Sequence, residues 1–292
     1  TQFASSAASD VYKRQMSTES LLCGDLVVAD GVDTLSLVQV TDTHLTGTEA
    51  GCLLGMNTAR SARGVIDAAL AAESADCILV TGDIAADGQP EAYGQLKALL
   101  GTLVPSLWLP GNHDEVYSHK DRYAPNMKRR LRAKHWDVVM LETQVEGEVG
   151  GVLSTTELAA LRSAVDDARL ANKALLVATH HPLRRLESAW LDEQSVKNAS
   201  EALDILKPIA DQTAVISGHV HQESDELING VRMMTTPSTC VQFAPGSQDF
   251  ALDSKDPGYR RLVLHPNARI ETQVVRISDE ENRPLLTSSG YH

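Results

Sequence analysis

No stretch of this 292-residue chain approaches the ~18 consecutive apolar residues that a bilayer-spanning helix requires, so a membrane partner is not expected. Cysteine is scarce. Cys23, Cys52, Cys77 and Cys240 are scattered, without a Cys-x-x-Cys pair or the density of a secreted disulfide scaffold, and read as reduced, partly buried thiols of a cytoplasmic protein. Positive charge is in deficit: the formal net charge is −13, a field that repels polyanions and argues against a nucleic-acid polymer as partner. A small phosphate substrate survives that argument, because bound cations reverse the potential locally. Internal repeats and low-complexity linkers are also absent.

Residues 1–15 have neither the apolar core of a signal peptide nor the periodicity of a packed element. Met16 reads as the native start, 1–15 as a non-native or disordered leader, 16–278 as one domain, and the polar 279–292 as a flexible tail.

What is present is the composition of a globular protein, 42% hydrophobic and 22% charged. Short apolar runs alternate with longer amphipathic ones, the pattern of βα units around a largely parallel sheet. Strands are expected over 35–40, 77–80, 106–109, 137–141, 175–178 and 214–216. Helices are expected over 58–74, 90–100, 154–170 and 192–209. Pro90 suits a first helical turn, and Ser154 with Glu157 has capping-box spacing. Beyond Val231 the pattern turns to strands, with 259–264 and 269–277 flanking a turn.

The chemistry-bearing residues sit where strands end. Asp42 and His44 follow the first strand as D-x-H; in extended backbone, positions i and i+2 share a face. The second strand runs into Gly82-Asp83, and the third into Gly111-Asn112-His113-Asp114. Later strands deliver His180-His181-Pro182 and Gly218-His219-Val220-His221. Each motif alone is as well read as a turn or a helix cap. Together they hold six of the ten histidines (His44, His113, His180, His181, His219, His221), and ligands of open α/β sheets bind outside the carboxyl ends of strands.

The ordered set D-x-H, G-D, G-N-H-D, H-H-P and G-H-x-H over Asp42 to His221 resembles the signature of calcineurin-like metallophosphoesterases. WLDEQSVKNA, SGHVHQE, TTPSTCVQF and DPGYRRLVLH extend the likeness to the bacterial class III 3′,5′-cyclic AMP phosphodiesterases, over nearly all of the chain after Met16. The resemblance implies a four-layer α/β/β/α sandwich with a β-rich C-terminal part. It implies two metal ions, Fe or Mn in preference to Zn or Co. One would be held by Asp42, His44, His221 and a shared Asp83, the other by Asp83, Asn112, His180 and His219. Two divalent ions, two carboxylates and a bridging hydroxide leave roughly +1 at such a centre, enough to attract a singly charged diester.

The same resemblance implies hydrolysis of a small cyclic nucleotide, with 3′,5′-cyclic AMP giving 5′-AMP. Another small diester is the alternative, and a non-catalytic scaffold is the less favoured one. His44, Asp83, Asn112, His113 and His221 would contact the substrate. His113 would protonate the leaving alkoxide, with Asp114 either orienting it or lying solvated in the turn. His181 is expected beside the ligands or against phosphate. Lys128–Lys134 reads as a solvated basic helix face. Arg184 and Arg185 are better placed to reach a nucleotide, and Trp190 is either buried or a stacking platform for adenine. The oligomeric state is left open, a homodimer included.

Overall fold

Runs such as LSLVQV and ALLVAT are apolar on both faces, and a strand of that kind must be covered on both sides. The chain achieves this by stacking two sheets and placing helices outside each. A computed structural model describes residues 25–27, 33–72, 75–115 and 128–290. The expected leader, 1–15, lies outside the described residues.

In chain order the strands are β1 (Asp25–Val27), β2 (Leu35–Val40), β3 (Cys52–Leu53), β4 (Met56–Asn57), β5 (Cys77–Thr81), β6 (Ser106–Leu109), β7 (Arg130–Arg132) and β8 (Trp136–Met140). They continue as β9 (Ala174–Thr179), β10 (Thr213–Ser217), β11 (Ser224–Ile228), β12 (Val231–Thr235), β13 (Gln242–Phe243), β14 (Leu252–Asp253), β15 (Gly258–Leu264) and β16 (Ile270–Arg276). The α-helices are α1 (Thr58–Ala72), α2 (Pro90–Leu100), α3 (Thr155–Ala171), α4 (Ala189–Asp192) and α5 (Ala199–Leu206).

One sheet runs β16-β15-β2-β5-β6 and the other β1-β7-β8-β9-β10-β12-β11. The strands that lead into the histidine and aspartate motifs, β2, β5 and β6 in one sheet and β9 and β10 in the other, pair in parallel with their neighbours of that group. The pairs β15–β16, β15–β2, β7–β8 and β11–β12 are antiparallel, so the molecule is more mixed than a simple βα alternation predicts.

Alternation assigns the faces. Leu35 and Leu37 of β2 point between the sheets, where they meet Leu79, Leu107, Trp136, Val138, Leu176 and Ile216. Val38 and Val40 point outward onto α1 and α2 through Val65, Ile66 and Leu96. Val139, Leu175 and Val177 of the other sheet pack on α3 and α5 through Leu161, Val165 and Leu206. Four layers result, in the order helix, sheet, sheet, helix.

Three local expectations need correction. The single helix predicted over 192–209 is α4, α5 and a 3₁₀ segment Lys207–Gln212; Pro208, which cannot supply an interior N–H, stops α5 from continuing. The basic run 128–134 is strand β7 and not a helix face: Leu131 is fully buried, and Arg130 and Arg132 pair with Asp137 and Asp167. Ser154 does cap α3, accepting from the Glu157 N–H, but the Glu157 carboxylate turns to the Glu142 N–H and Arg129. The capping box is half formed.

The polar tail is docked where polarity predicts a loose end. Asn282 exchanges hydrogen bonds with the backbone of Asn57 at 2.7 and 2.9 Å, and the Leu285 N–H donates to the Leu54 carbonyl. Among the described residues, no helix is long and apolar enough to cross a membrane.

Leu176 is fully enclosed between the sheets, so Leu176→Ala leaves a void that neither sheet can close. The variant is expected to lose about 2–5 kcal/mol of stability, read by equilibrium urea unfolding.

Candidate functional site

The ends of β2, β5, β6, β9 and β10 converge on one buried cluster, although the two sheets contribute from far apart in sequence. D-x-H does not work as extended backbone. Asp42 and His44 have φ of 53° and 42°, Asp83 49°, His219 66° and His221 48°. These are left-handed conformations, which cost a non-glycine residue ~1–2 kcal/mol. Five of the seven expected ligands are therefore held in strained turns, and strain of this kind collects at functional sites. The side chains converge by left-handed turns and not by strand periodicity.

Glycines permit the close approach. A Cβ on Gly111 would lie 2.1 Å from Asp83 Oδ1 and 2.4 Å from the Asp83 backbone nitrogen. A Cβ on Gly218 would lie 2.0 Å from Thr41 Oγ1 and 2.6 Å from Asp42 Oδ2.

Asp83 Oδ2 sits 3.7 Å from His44 Nε2 on one side and 3.3 Å from His180 Nε2 on the other. His44 Nε2 and His221 Nε2 are 3.2 Å apart, and His221 Nε2 is 3.3 Å from Asp42 Oδ1. His180 Nε2 is 3.2 Å from Asn112 Oδ1, and the His219 ring lies 5.1 Å, centroid to centroid, from His180. Ligand atoms of Asp42, Asp83 and His180 all lie within 4.8 Å of one another, as do those of His44, Asp83 and His113. All seven expected ligand residues are brought together, with Asp83 between the two halves.

The donor chemistry of the set can be tested against a cation. His221 Nδ1 is 2.8 Å from the Val241 carbonyl oxygen and His180 Nδ1 2.8 Å from that of Thr81, so in each neutral ring the proton sits on Nδ1. Each Nε2 is then a lone pair facing other acceptors: Asp42 for His221, Asp83 and Asn112 for His180. His219 Nε2 is buried with no hydrogen-bond partner among the described residues. Acceptors facing acceptors repel unless positive charge lies among them, so the residues fit metal ions.

Without a cation, protonation supplies that charge. Burial pushes His180 down, but the charge and hydrogen bond of Asp83 outweigh it and raise His180 to about 9. Burial likewise works to raise the Asp83 carboxyl, yet the neighbouring His180 and His113 hold it well below the usual range. Burial keeps His44 and His219 far below the usual imidazole value, hence neutral and able to donate a lone pair.

Asp114 neither orients His113 nor lies in solvent. Its buried carboxylate accepts from the backbone N–H groups of Ile84, Ala85 and Gly111 and from the Tyr93 hydroxyl, at 2.8–3.1 Å. Burial, then the Asp83 charge, raise it to about 6. Its role is to tie the 111–114 turn to the loop after Asp83. His113 is half-buried, edge-on to His44 at 5.0 Å, with Nδ1 3.0 Å from the Ala86 carbonyl oxygen.

His181 spends both ring nitrogens, on Thr143 Oγ1 at 2.8 Å and the Val149 carbonyl at 2.9 Å, and packs on His180 and His219. Burial lowers it to about 3. With both nitrogens so occupied, it supports the ligand rings. Arg184 turns away to Ser224 and Glu226.

Several contributors gave no usable local signal in the sequence. Thr41 Oγ1 donates to Asp42 Oδ2, Ser238 Oγ to the Asp42 carbonyl oxygen, and the His219 N–H to the Asp42 carboxylate. Cys240 Sγ lies within 4.8 Å of the His44 and His221 nitrogens, and burial pushes its thiol up to about 12.

Comparison with known proteins identifies the family. The family model described as calcineurin-like phosphoesterase matches residues 35–223. The chain belongs to that family. It is thus a phosphoesterase-type hydrolase, and the matched segment begins at β2 and ends two residues after His221. The chain is 37% identical over 273 residues to the "3′,5′-cyclic adenosine monophosphate phosphodiesterase CpdA" of Vibrio vulnificus, covering 89% of this chain and 96% of that one. It is 38% identical to the protein of the same name from Pseudomonas aeruginosa, over 87% of this chain and 94% of that one. The fold is similar to that of a dimetal phosphatase from Danio rerio, with a TM-score of 0.54 at 16% identity, over 84% of this chain and 99% of the other.

Two changes separate support from ligation. Gly111→Ala drives a methyl group into Asp83 and is expected to reduce bound metal well below that of the parent protein, measured by inductively coupled plasma mass spectrometry on the folded variant. Asp114→Ala orphans four buried donors and is expected to cost at least about 2 kcal/mol in thermal unfolding.

Proposed function

We propose that this chain hydrolyses 3′,5′-cyclic AMP to 5′-AMP at a two-cation centre. The observation that carries the chemistry is the Asp83 carboxylate, whose Oδ2 lies between His44 on one side and His180 on the other. A carboxylate so flanked would help to hold both ions. The identity to relatives bearing that activity in their names supports the choice of diester.

In this reading Asp42, His44, His221 and Asp83 hold one ion, and Asp83, Asn112, His180 and His219 the other. The mixed nitrogen and oxygen set suits Fe or Mn, with Zn or Co as workable substitutes, and is too nitrogen-rich for Ca. Bound there, the ions supply a lowered pKa for the attacking water and positive charge for the non-bridging phosphate oxygens.

The protein's own residues do the rest. Burial of His44, Asp83, His180 and His221 excludes bulk water, so charge at the centre is weakly screened. His113, edge-on to His44 and donating Nδ1–H to the Ala86 carbonyl, would need a second proton on Nε2, as the imidazolium, to hand one to the departing 3′ oxygen and return to the neutral ring. The half-buried position of His113 and Asn112, beside fully buried ligands, would put the diester at the open side of the cluster.

His113→Ala is expected to retain its metals while kcat on cyclic AMP falls ~10²–10⁴-fold, since an alkoxide is a poor leaving group. Wild-type turnover by that variant would remove His113 from the mechanism. The substrate is tested by kcat/KM on 3′,5′-cyclic AMP, 2′,3′-cyclic AMP and bis(p-nitrophenyl) phosphate, with the product identified by chromatography. Preference for the first, yielding 5′-AMP and abolished by a chelator, is the expected outcome. Preference for the 2′,3′ isomer would overturn the assignment.

A further inference from the structure

Beside the cluster, on the His44–His221 side, lies a small apolar body separate from the three cores that bind sheets to helices. Val220, Cys240, Val241, Leu191 and Phe243 form its buried part. Trp190, Phe250, Leu53, Leu186 and Leu252 are its half-buried outer members. It joins the site directly: Phe243 stacks face to face on the ligand ring of His221, centroids 4.2 Å apart and planes 13° from parallel. Trp190 meets Phe243 edge-on at 5.0 Å, and Phe250 meets Trp190 at 5.4 Å.

The segment carrying Trp190 is fastened in place. The Gly246 N–H and Gln222 Nε2 both donate to Ser188 Oγ, and the Ala189 N–H donates to the Ser247 carbonyl oxygen. Glu187, three residues before the tryptophan, holds φ 62°, a left-handed strain of the kind kept at ligand clamps. Trp190 is thus two ring contacts away from the ligand ring of His221. Arg184 and Arg185 do not compete for this role: Arg184 is bound to Glu226 and Ser224, and Arg185 is exposed.

We propose that Trp190, braced by Phe243 and Phe250, is the platform for the purine base and so sets the preference for a nucleotide over a simple diester. The inference rests on the reading above, that the substrate is a cyclic nucleotide. A flat, apolar, polarisable base matches an aromatic wall, and stacking needs no net charge in an acidic protein.

Fluorescence provides a test that does not depend on turnover. Trp108 and Trp136 are enclosed in the cores, which leaves Trp190 as the half-buried tryptophan among the three. In the metal-loaded protein, 5′-AMP is expected to quench indole emission, ribose 5-phosphate to leave it unchanged, and Trp190→Phe to abolish the response. Kinetically, Trp190→Ala is expected to lower kcat/KM for 3′,5′-cyclic AMP about 10-fold more than for base-free ribose 3′,5′-cyclic phosphate. The Trp190→Phe variant should recover much of that ratio. Equal losses on both substrates, or quenching by both ligands alike, would overturn the platform. A wild-type enzyme that ignores cyclic AMP altogether would instead defeat the functional reading on which it rests.

Discussion

Buried lone pairs that face one another are the constraint around which this molecule is organised. Nε2 atoms of His180 and His221 approach oxygens of Asp42, Asp83 and Asn112 to 3.2–3.3 Å, contacts that with the protons on Nδ1 are favourable only with positive charge among them. Left to itself, a chain would relax such a cluster. Here the relaxation is blocked from outside, by backbone N–H groups on the carboxylates, carbonyl oxygens on the Nδ1 atoms, and glycines that let loops touch. Left-handed turns at Asp42, His44, Asp83, His219 and His221 add several kcal/mol of strain if each costs ~1–2 kcal/mol. That strain persists because two sheets over-determine the loop positions.

The coupling of those sheets beneath the site is polar, in contrast to the apolar packing farther down. Gln39 on β2 donates to Thr81 Oγ1 on β5 and to the Ser217 carbonyl on β10, and accepts from Thr236 Oγ1. Arg260 on β15 crosses the same interface to Thr236 Oγ1 and the carbonyls of Ser224 and Thr235. Buried polar groups must find partners or forfeit stability, and they find them here only at one relative position of the sheets. Leucine packing tolerates small slips; this network does not. The register that delivers Asp42 and Asp83 opposite His180, His219 and His221 is thereby fixed just below the ligands.

Charge explains how an acidic protein serves an anionic substrate. The net −13 is spread over the whole chain, whereas the centre gathers imidazoles around two carboxylates and one neutral amide. Asn112 matters in this respect, since a third carboxylate there would cancel the positive charge that bound ions bring. Asp114, a further buried acid beside Asp83, gives its carboxylate to four donors and so structures the loops, with burial and the Asp83 charge raising it to about 6.

Local patterning determined much of this protein. The strands over 35–40, 77–81 and 106–109 and the helices at 58–72 and 90–100 are legible because apolar period and flanking glycine and proline are properties of a few adjacent residues. The strand-end motifs were legible as a set for the same reason. Tertiary structure alone decided that Asp114 binds loops and not His113, that His181 supports rings, that Arg130 lies in a strand, and that the tail docks on Asn57. Each of those outcomes depends on partners tens to hundreds of residues away, such as His221 with His44 or Asn282 with Asn57. Sequence carries the period of an element, but the partner of a side chain is set by packing that no local window contains.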